Sequence, residues 1–418
     1  MAARRLLLNR DFQLLWIGEA LSDVGSQSAT VAYPLLVLAL TNSPSKAGIV
    51  GLAKWLPLAV FSLPAGVLAD RLNRKHLMIA CDLVRLLGAA SIVVALAFGR
   101  PSFAQLVAVA FIDGGLFATA HIAERGALRQ VVAREQLQDA VARNEGRSYA
   151  AALIGPSLGG LLFAITRTLP FVADAASFLC STTAVAATRS DFQVHSEQPP
   201  RPWREMRSEM LEGLRWMRDQ PFYRMTSVLF AFGNPLFTGL FLLTLLLAHR
   251  GHASSSEIGV MFTIMAAGGL VGALLAGRLR RAISARGLII AGPWLAVGVL
   301  LALLVVHNPL LMGVVVACAE FMAPATNAVV AGSRIALAPD ALQGRIQAVA
   351  TTSSMSLVWL GPLAVGFGFE RLGASATTLA AAGWALCLAA AATAAPSIRH
   401  HVPVDADPDT DAVGAQAR

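Results

Sequence analysis

The sequence predicts an all-α membrane protein of about twelve transmembrane helices in two pseudo-symmetric six-helix halves, with both termini cytoplasmic. Three observations carry that expectation. Of the 418 residues, 56% are apolar and 14% charged, whereas a soluble globular chain carries about 25% charge. Apolar runs of the roughly 20 residues needed to cross a bilayer recur about twelve times. Three features of the first half return about 207 residues later.

The composition excludes a soluble enzyme, a disordered chain and a disulfide scaffold. The formal charge of +8 would suggest nucleic acid in a soluble protein. Here the basic residues gather in short gaps between apolar runs, so no nucleic-acid partner is expected. Cys81, Cys180, Cys318 and Cys387 each sit inside an apolar run with no ligand-spaced neighbour, and read as small apolar residues with no metal or redox role.

The basic N-terminus leads into run 12–40, which has no small-residue cleavage site and is read as a first span rather than a signal peptide. Runs 47–69, 77–98, 102–123, 149–165 and 169–187 complete the first half. A polar linker, 188–221, follows. Runs 222–248, 258–276, 288–306, 310–332, 347–369 and 374–394 form a second half over 222–396, and 397–418 is read as a disordered acidic tail. With a cytoplasmic N-terminus, roughly 26 of the 33 Lys and Arg fall on the inner side and about 5 on the outer side, the bias that fixes topology. Inside the linker, residues 203–220 space Trp203, Met206, Met210, Leu214 and Met217 helically, with arginines mostly on other faces. Such a helix suits either the inner membrane surface or packing against the inner ends of the spans.

The repeat is read from three pairs. Gly66 to Arg74, after span two, matches Ala273 to Arg281, after span eight. Gly155-Pro156 matches Gly361-Pro362. The lone intramembrane carboxylate Asp113 matches Glu320. Agreement on one offset argues for duplicated halves, an architecture common among secondary transporters.

The segment Gly66-Val-Leu-Ala-Asp70-Arg71-Leu-Asn-Arg74-Lys75 resembles the signature loop between spans two and three of the major facilitator superfamily, departing at Asn73, where glycine is usual and a left-handed turn is expected. Residues 9–18, 212–218 and Gly344-Arg345 resemble the bacterial exporter subgroup that includes siderophore and macrolide efflux carriers. The resemblance implies a major facilitator fold in which Asp70 docks at the start of span eleven, with Arg345 as an extra partner, while Arg71, Arg74 and Lys75 reach the loop after span four and anionic lipid heads. A basic cluster that only fixes topology is the alternative. Gly155, Pro156, Gly159 and Gly160 form the G-P-x-x-G-G pattern that, in the resembling family, marks exporters and antiporters. Read from the residues alone, it is a close helix crossing.

Charges inside spans are costly and usually functional. Glu19 and Asp23 share one face of span one, and like charges one turn apart repel. Asp113 and Glu320 sit near the middle of spans four and ten, and Asp113 is the first choice for proton coupling. Asp82 and Arg85 read as a structural ion pair, and Asp174 as reaching water at an outer end. The resemblance puts spans one, four, seven and ten around a cavity touched by Glu19, Asp23, Asp113, Phe117, Asn234, Phe237, Phe241, Glu320 and Asn327. Acidic and aromatic residues together suit a cationic or amphipathic organic compound. No phosphate cradle, HExxH or GxSxG is present in the sequence, so no enzyme activity, cofactor or metal is expected. The expected protein is a monomeric secondary transporter, exporting a small molecule against protons. An importer or uniporter of the same fold is the alternative, and a receptor or membrane enzyme the remote one.

Overall fold

The computed structural model describes residues 6, 8–192, 203–339 and 342–400. Eleven helical segments are long and apolar enough to cross a membrane, and the 28-residue helix Pro44–Arg71 stands where the second span is expected. In chain order the helices are α1 (Arg10–Thr41), α2 (Pro44–Arg71), α3 (Arg74–Ala97), α4 (Phe103–Val131), α5 (Leu137–Ile165), α6 (Leu169–Ala186), α7 (Trp203–Asp219) in the linker, α8 (Pro221–Arg250), α9 (Ser255–Ala282), α10 (Ala285–Ala302), α11 (Pro309–Leu337), α12 (Gln343–Met355), α13 (Leu360–Leu372), α14 (Ala374–Ala394) and α15 (Pro396–His400).

Short polar residues set the starts. Asn9, Ser43, Ser102 and Asn308 each accept a backbone N–H of the first turn of α1, α2, α4 and α11, and Ser254 with Glu257 builds a capping box on α9. Asn73 is one such cap. It is extended (φ −61°) and accepts from Lys75 and His76, so the left-handed turn expected there is replaced by an N-cap of α3. The eleventh span is two helices, because Pro362 lacks an N–H and crowds the carbonyl four residues earlier. The chain leaves α12 at Met355 and re-enters helix at Leu360. Two spans are longer than the apolar runs. α4 continues to Val131 and α5 begins at Leu137, which draws Glu124 and Arg147 into helices.

Let the linker side be the face carrying α7, and the far side the opposite one. Toward the far side one apolar core unites Val31–Leu38 of α1 and Val50 of α2 with Leu240–Leu246 of α8 and Met261–Met265 of α9. Toward the linker side the core splits. One cluster holds Phe12, Met78, Ala123 and Val185, and another holds Tyr223, Leu288, Val329 and Ile346. The helix pairs α5–α9, α2–α13 and α2–α12 cross between the halves. The first two crossings are made by small residues. A methyl added at Gly160 would lie 2.7 Å from Gly259 Cα, and one at Gly366 2.8 Å from Gly48 Cα, so backbones touch there.

The second half of α7 packs against the protein end of the spans. Gly213 rests on the Arg345 backbone, Met217 is buried, Trp216 meets Tyr223 edge-on and Glu212 pairs with Arg345. Leu211 and Leu214 remain exposed, and the side chains of Trp203, Met206 and Met210 lie outside the described residues. After α14 the chain forms α15, with Ile398 fully buried in the linker-side core. The expected unstructured tail therefore does not begin at 397, and residues 401–418 lie outside the described ones.

Candidate functional site

Between the halves lies a cavity of about 330 Å³, lined by Gln27, Thr30 and Tyr33 of α1, Lys54 and Trp55 of α2, Tyr149 and Pro156 of α5, Phe237 and Phe241 of α8, Phe262 of α9, Glu320 of α11 and Pro362 of α13. Spans one, seven and ten line it as expected, but span four does not. Its wall is taken by α2, α5 and α9, which the glycine crossings bring to the dyad. Glu320 is the cavity's one carboxylate, with no ion pair or hydrogen bond among the described residues. Phe241 stacks on Phe262 at 4.0 Å, so the cavity's wall in the second half is aromatic.

Behind α1 the first half holds a buried charge cluster. Arg85 Nε donates to Asp113 at 2.8 Å, and its Nη2 to Ser26 Oγ at 2.9 Å. Its Nη1 stands 3.8 Å from Asp82, and the guanidinium lies 4.2 Å over Phe178. The expected Asp82–Arg85 pair is thus the longer contact, and Asp113 is the closer partner. Lys54 joins this cluster to the cavity. Its Nζ donates to Thr30 Oγ1 at 2.8 Å and stands 3.9 Å from Asp113. Asp174 lines a pocket with Arg85, Asp113 and Tyr33, and it is 4% exposed, so it does not reach water. Its Oδ1 has no hydrogen-bond partner among the described residues. Three carboxylates (Asp82, Asp113, Asp174) therefore face two cations (Lys54, Arg85).

A second cluster lies nearer the linker side of the first half. Arg147 of α5 bridges Asp23 of α1 at 3.1 Å and Glu124 of α4 at 2.8 Å. Asn144 donates to Glu124 at 3.0 Å, and His121 stands 3.5 Å from it. Asp23 is thus an ion-pair partner, while Glu19, one turn earlier, makes no ion pair among the described residues. Phe117 stacks on His121, away from the central cavity. Asn234 donates to Ser354 O at 2.7 Å. With Asn327 it lines a separate pocket of the second half.

The loop residues bind backbone. Arg74 donates to Ala69, Gly126 and Phe192 carbonyls, and Lys75 to Thr188 O at 2.6 Å. Arg74 thus reaches Gly126 inside α4, whereas the resemblance implies a contact with the loop after span four. Gly66 is open to a side chain and Arg71 is exposed. Asp70 stands in the last turn of α2, its side chain outside the described residues, and α2 packs on α12. In the other motif, Gly155 abuts Gln27 and Gly159 abuts Ser28 of α1, while Gly160 abuts α9. Pro156 lines the central cavity. The motif holds α5 against both halves at once.

Sequence reading missed Lys54, Arg85 as the partner of Asp113, Glu124 and Arg147. A lone lysine within an apolar run is a signal available for Lys54. Glu124 and Arg147 fell just outside runs that were cut at 123 and begun at 149.

Two helical halves around a cavity, with buried charges beside it, define a multi-pass transporter of the major facilitator kind. The solved POT family transporter PepTSo superposes with a TM-score of 0.72 at 13% identity, covering 94% of this chain and 98% of that one, which bears on fold alone. The model of the transmembrane secretion effector family, MFS_3, matches residues 6–414, and the chain belongs to that family. It is similar to the multidrug efflux pump Tap of Mycolicibacterium fortuitum, 27% identical over 90% of this chain and 94% of the relative. It is also similar to the enterobactin exporter EntS of Citrobacter koseri, 24% identical over 69% of each. The protein is a multi-pass protein of the bacterial cell membrane.

Proposed function

We propose that the protein exports amphipathic organic cations by alternating access around the central cavity, driven by protons, with the linker side and both termini in the cytoplasm. The observation that carries this reading is the unpaired Glu320 among Phe237, Phe241 and Phe262 at the interface between halves. A carboxylate with no protein cation is free for a ligand cation, and aromatic faces attract the same charge. The names of the relatives support efflux, and the basic bias of the linker-side gaps supports the orientation.

Coupling follows from charge. The Lys54–Arg85 cluster has one carboxylate more than it has cations, so one proton balances it. Lys54 belongs to both sites. A proton on Asp113 takes away the counter-charge of Lys54, whose ammonium then competes with the substrate cation for the cavity. Loss of the proton restores the pair and frees Glu320. Binding of proton and substrate are thus mutually exclusive, as exchange requires. Asp70 and Arg345 would steady the linker side when it closes, Glu19 and Asp23 the wall of α1.

The test is retention of tetraphenylphosphonium in cells with and without the protein. Export lowers retention, and import raises it and sinks the reading. Asp113→Asn is expected to abolish dependence on the pH gradient in proteoliposomes. A variant with normal coupling removes Asp113 from the proton path.

A further inference from the structure

The second half has a pocket of about 250 Å³ on the linker side, away from the central cavity, between α8, α11 and α12. Its walls are Phe230, Asn234, Asn327, Gln347 and Thr351, and one charge, Arg334, faces them. Arg334 is 9% exposed, and its Nε and Nη2 have no hydrogen-bond partner among the described residues. Among the described residues no carboxylate lines the pocket or pairs with it. Its backbone is held, since the Tyr223 hydroxyl donates to its carbonyl, and its guanidinium lies 5.6 Å over the Phe230 ring. The side chain therefore lines the pocket with its Nε–Nη2 edge covered and without a hydrogen-bond partner among the described residues. That edge carries two parallel N–H groups, the fork that matches two oxygens of a carboxylate or phosphate.

The first half shows what balancing such a charge looks like. There Arg147 is held between Asp23 and Glu124, beside His121. At the offset of 207 residues that pairs Asp113 with Glu320, Asp23 becomes Phe230, Glu124 becomes Ala331 and His121 becomes Ala328. Both acids are gone from the second half, yet an arginine occupies the space. A buried guanidinium without a counter-charge is costly to the fold, and a ligand that supplies the counter-charge offsets that cost.

We infer that this pocket binds an oxyanion, a carboxylate or phosphate group, on the guanidinium of Arg334, with the neighbouring amides and hydroxyl as neutral donors. The pocket is smaller than sites that enclose drug-sized ligands, so it takes a head group or a small aromatic acid. The oxyanion comes either from a solute or from an anionic lipid. The inference stands on this pocket alone, independent of the direction of transport and of Glu320.

The full-length protein in phosphatidylcholine nanodiscs is titrated with benzoate and with inorganic phosphate, and a parallel set of discs contains phosphatidylglycerol. Melting temperature is the readout. A rise with benzoate or phosphate identifies a solute site, and a rise only with phosphatidylglycerol a head-group site. Arg334→Gln is expected to weaken the response at least tenfold while melting, without ligand, no lower than the native protein. Arg334→Lys, which keeps charge but loses the fork, is expected to recover only part of the affinity. Ala331→Glu puts an acid one turn before Arg334, where the first half has Glu124, and is expected to abolish the response. Absence of any shift in the native protein, or equal shifts in native and Arg334→Gln, overturns the site. If Arg334→Gln fails to fold, Ala331→Glu decides alone: an undiminished anion response in it overturns the site.

Discussion

The two halves share a repeat but treat charge in opposite ways. The first half encloses five charged groups around Asp113 and a further arginine bridging two acids. The second half has Glu320 in the central cavity and Arg334 in its own pocket, neither of them in an ion pair among the described residues. Buried ion pairs are poor sources of stability compared with apolar packing of equal volume, so a half that keeps two such networks keeps them for something else. The contrast teaches a division of labour. The first half pairs most of its buried charges with one another, whereas the second half leaves Glu320 and Arg334 unpaired beside its cavities, among the described residues.

Arg85 gives the largest way to break that contrast. Arg85→Met leaves Asp113 and Asp82 without their main counter-charge in a site where Arg85 is 5% exposed. Breaking a buried pair from one side costs about 3–5 kcal/mol, so the variant is expected to lose transport and to melt far below the native protein. An Arg85→Met protein of native melting temperature would mean that the cluster is not a charge network at all. Gly160→Val comes next, because it acts where the halves meet and touches no charge. Backbone contact with Gly259 leaves no room for the side chain, and overpacking costs roughly 1–3 kcal/mol. The expected result is a folded protein with transport at background, read by uptake in proteoliposomes. Glu320→Gln follows. Removing the single cavity carboxylate is expected to lower transport of tetraphenylphosphonium about tenfold and to leave an uncharged amphipathic substrate within twofold. Equal losses for both would place Glu320 in the proton path and blur the division between halves.

Much of this was legible in the sequence, and the part that was not has a physical reason. The helical membrane architecture follows from one-dimensional signals, namely run length and spacing: about twelve apolar runs are read in the sequence, and eleven helical segments among the described residues are long and apolar enough to cross a membrane. The partners of the buried charges do not follow. Arg85 was paired with Asp82 because they lie three residues apart, yet its best acceptor is Asp113 from another helix, 28 residues away. Asp174 looked close to water by position along its helix, but packing of α1 and α3 against α6 covers it. Glu124 and Arg147 were lost at run boundaries, because hydropathy falls where helices continue into polar turns. Arg334 carries no sequence signal of its own, since a missing counter-charge becomes visible only once the neighbours are in place.

The smallest effect sharpens the comparison at the far side, where the second half gives a charge to the first. Glu370, in the last turn of α13, accepts from Ser43 Oγ at 2.6 Å and from the Ser45 N–H at 2.9 Å. It thus caps the start of α2 from across the dyad, next to the Gly48–Gly366 crossing. A carboxylate at a helix N-terminus is favourable because it satisfies unpaired N–H groups and opposes the helix dipole. Here it also ties the halves together on the face where they share one core. The group is exposed, so solvent screening keeps its contribution small. Glu370→Ala is expected to raise labelling of a cysteine placed at Lys46 by an impermeant maleimide roughly two- to threefold, in a background with Cys81, Cys180, Cys318 and Cys387 replaced by serine. The melting temperature should barely move, because the apolar core beneath is untouched. Unchanged labelling would mean that the shared core alone keeps the far side shut, and that the second half's charges serve ligands only.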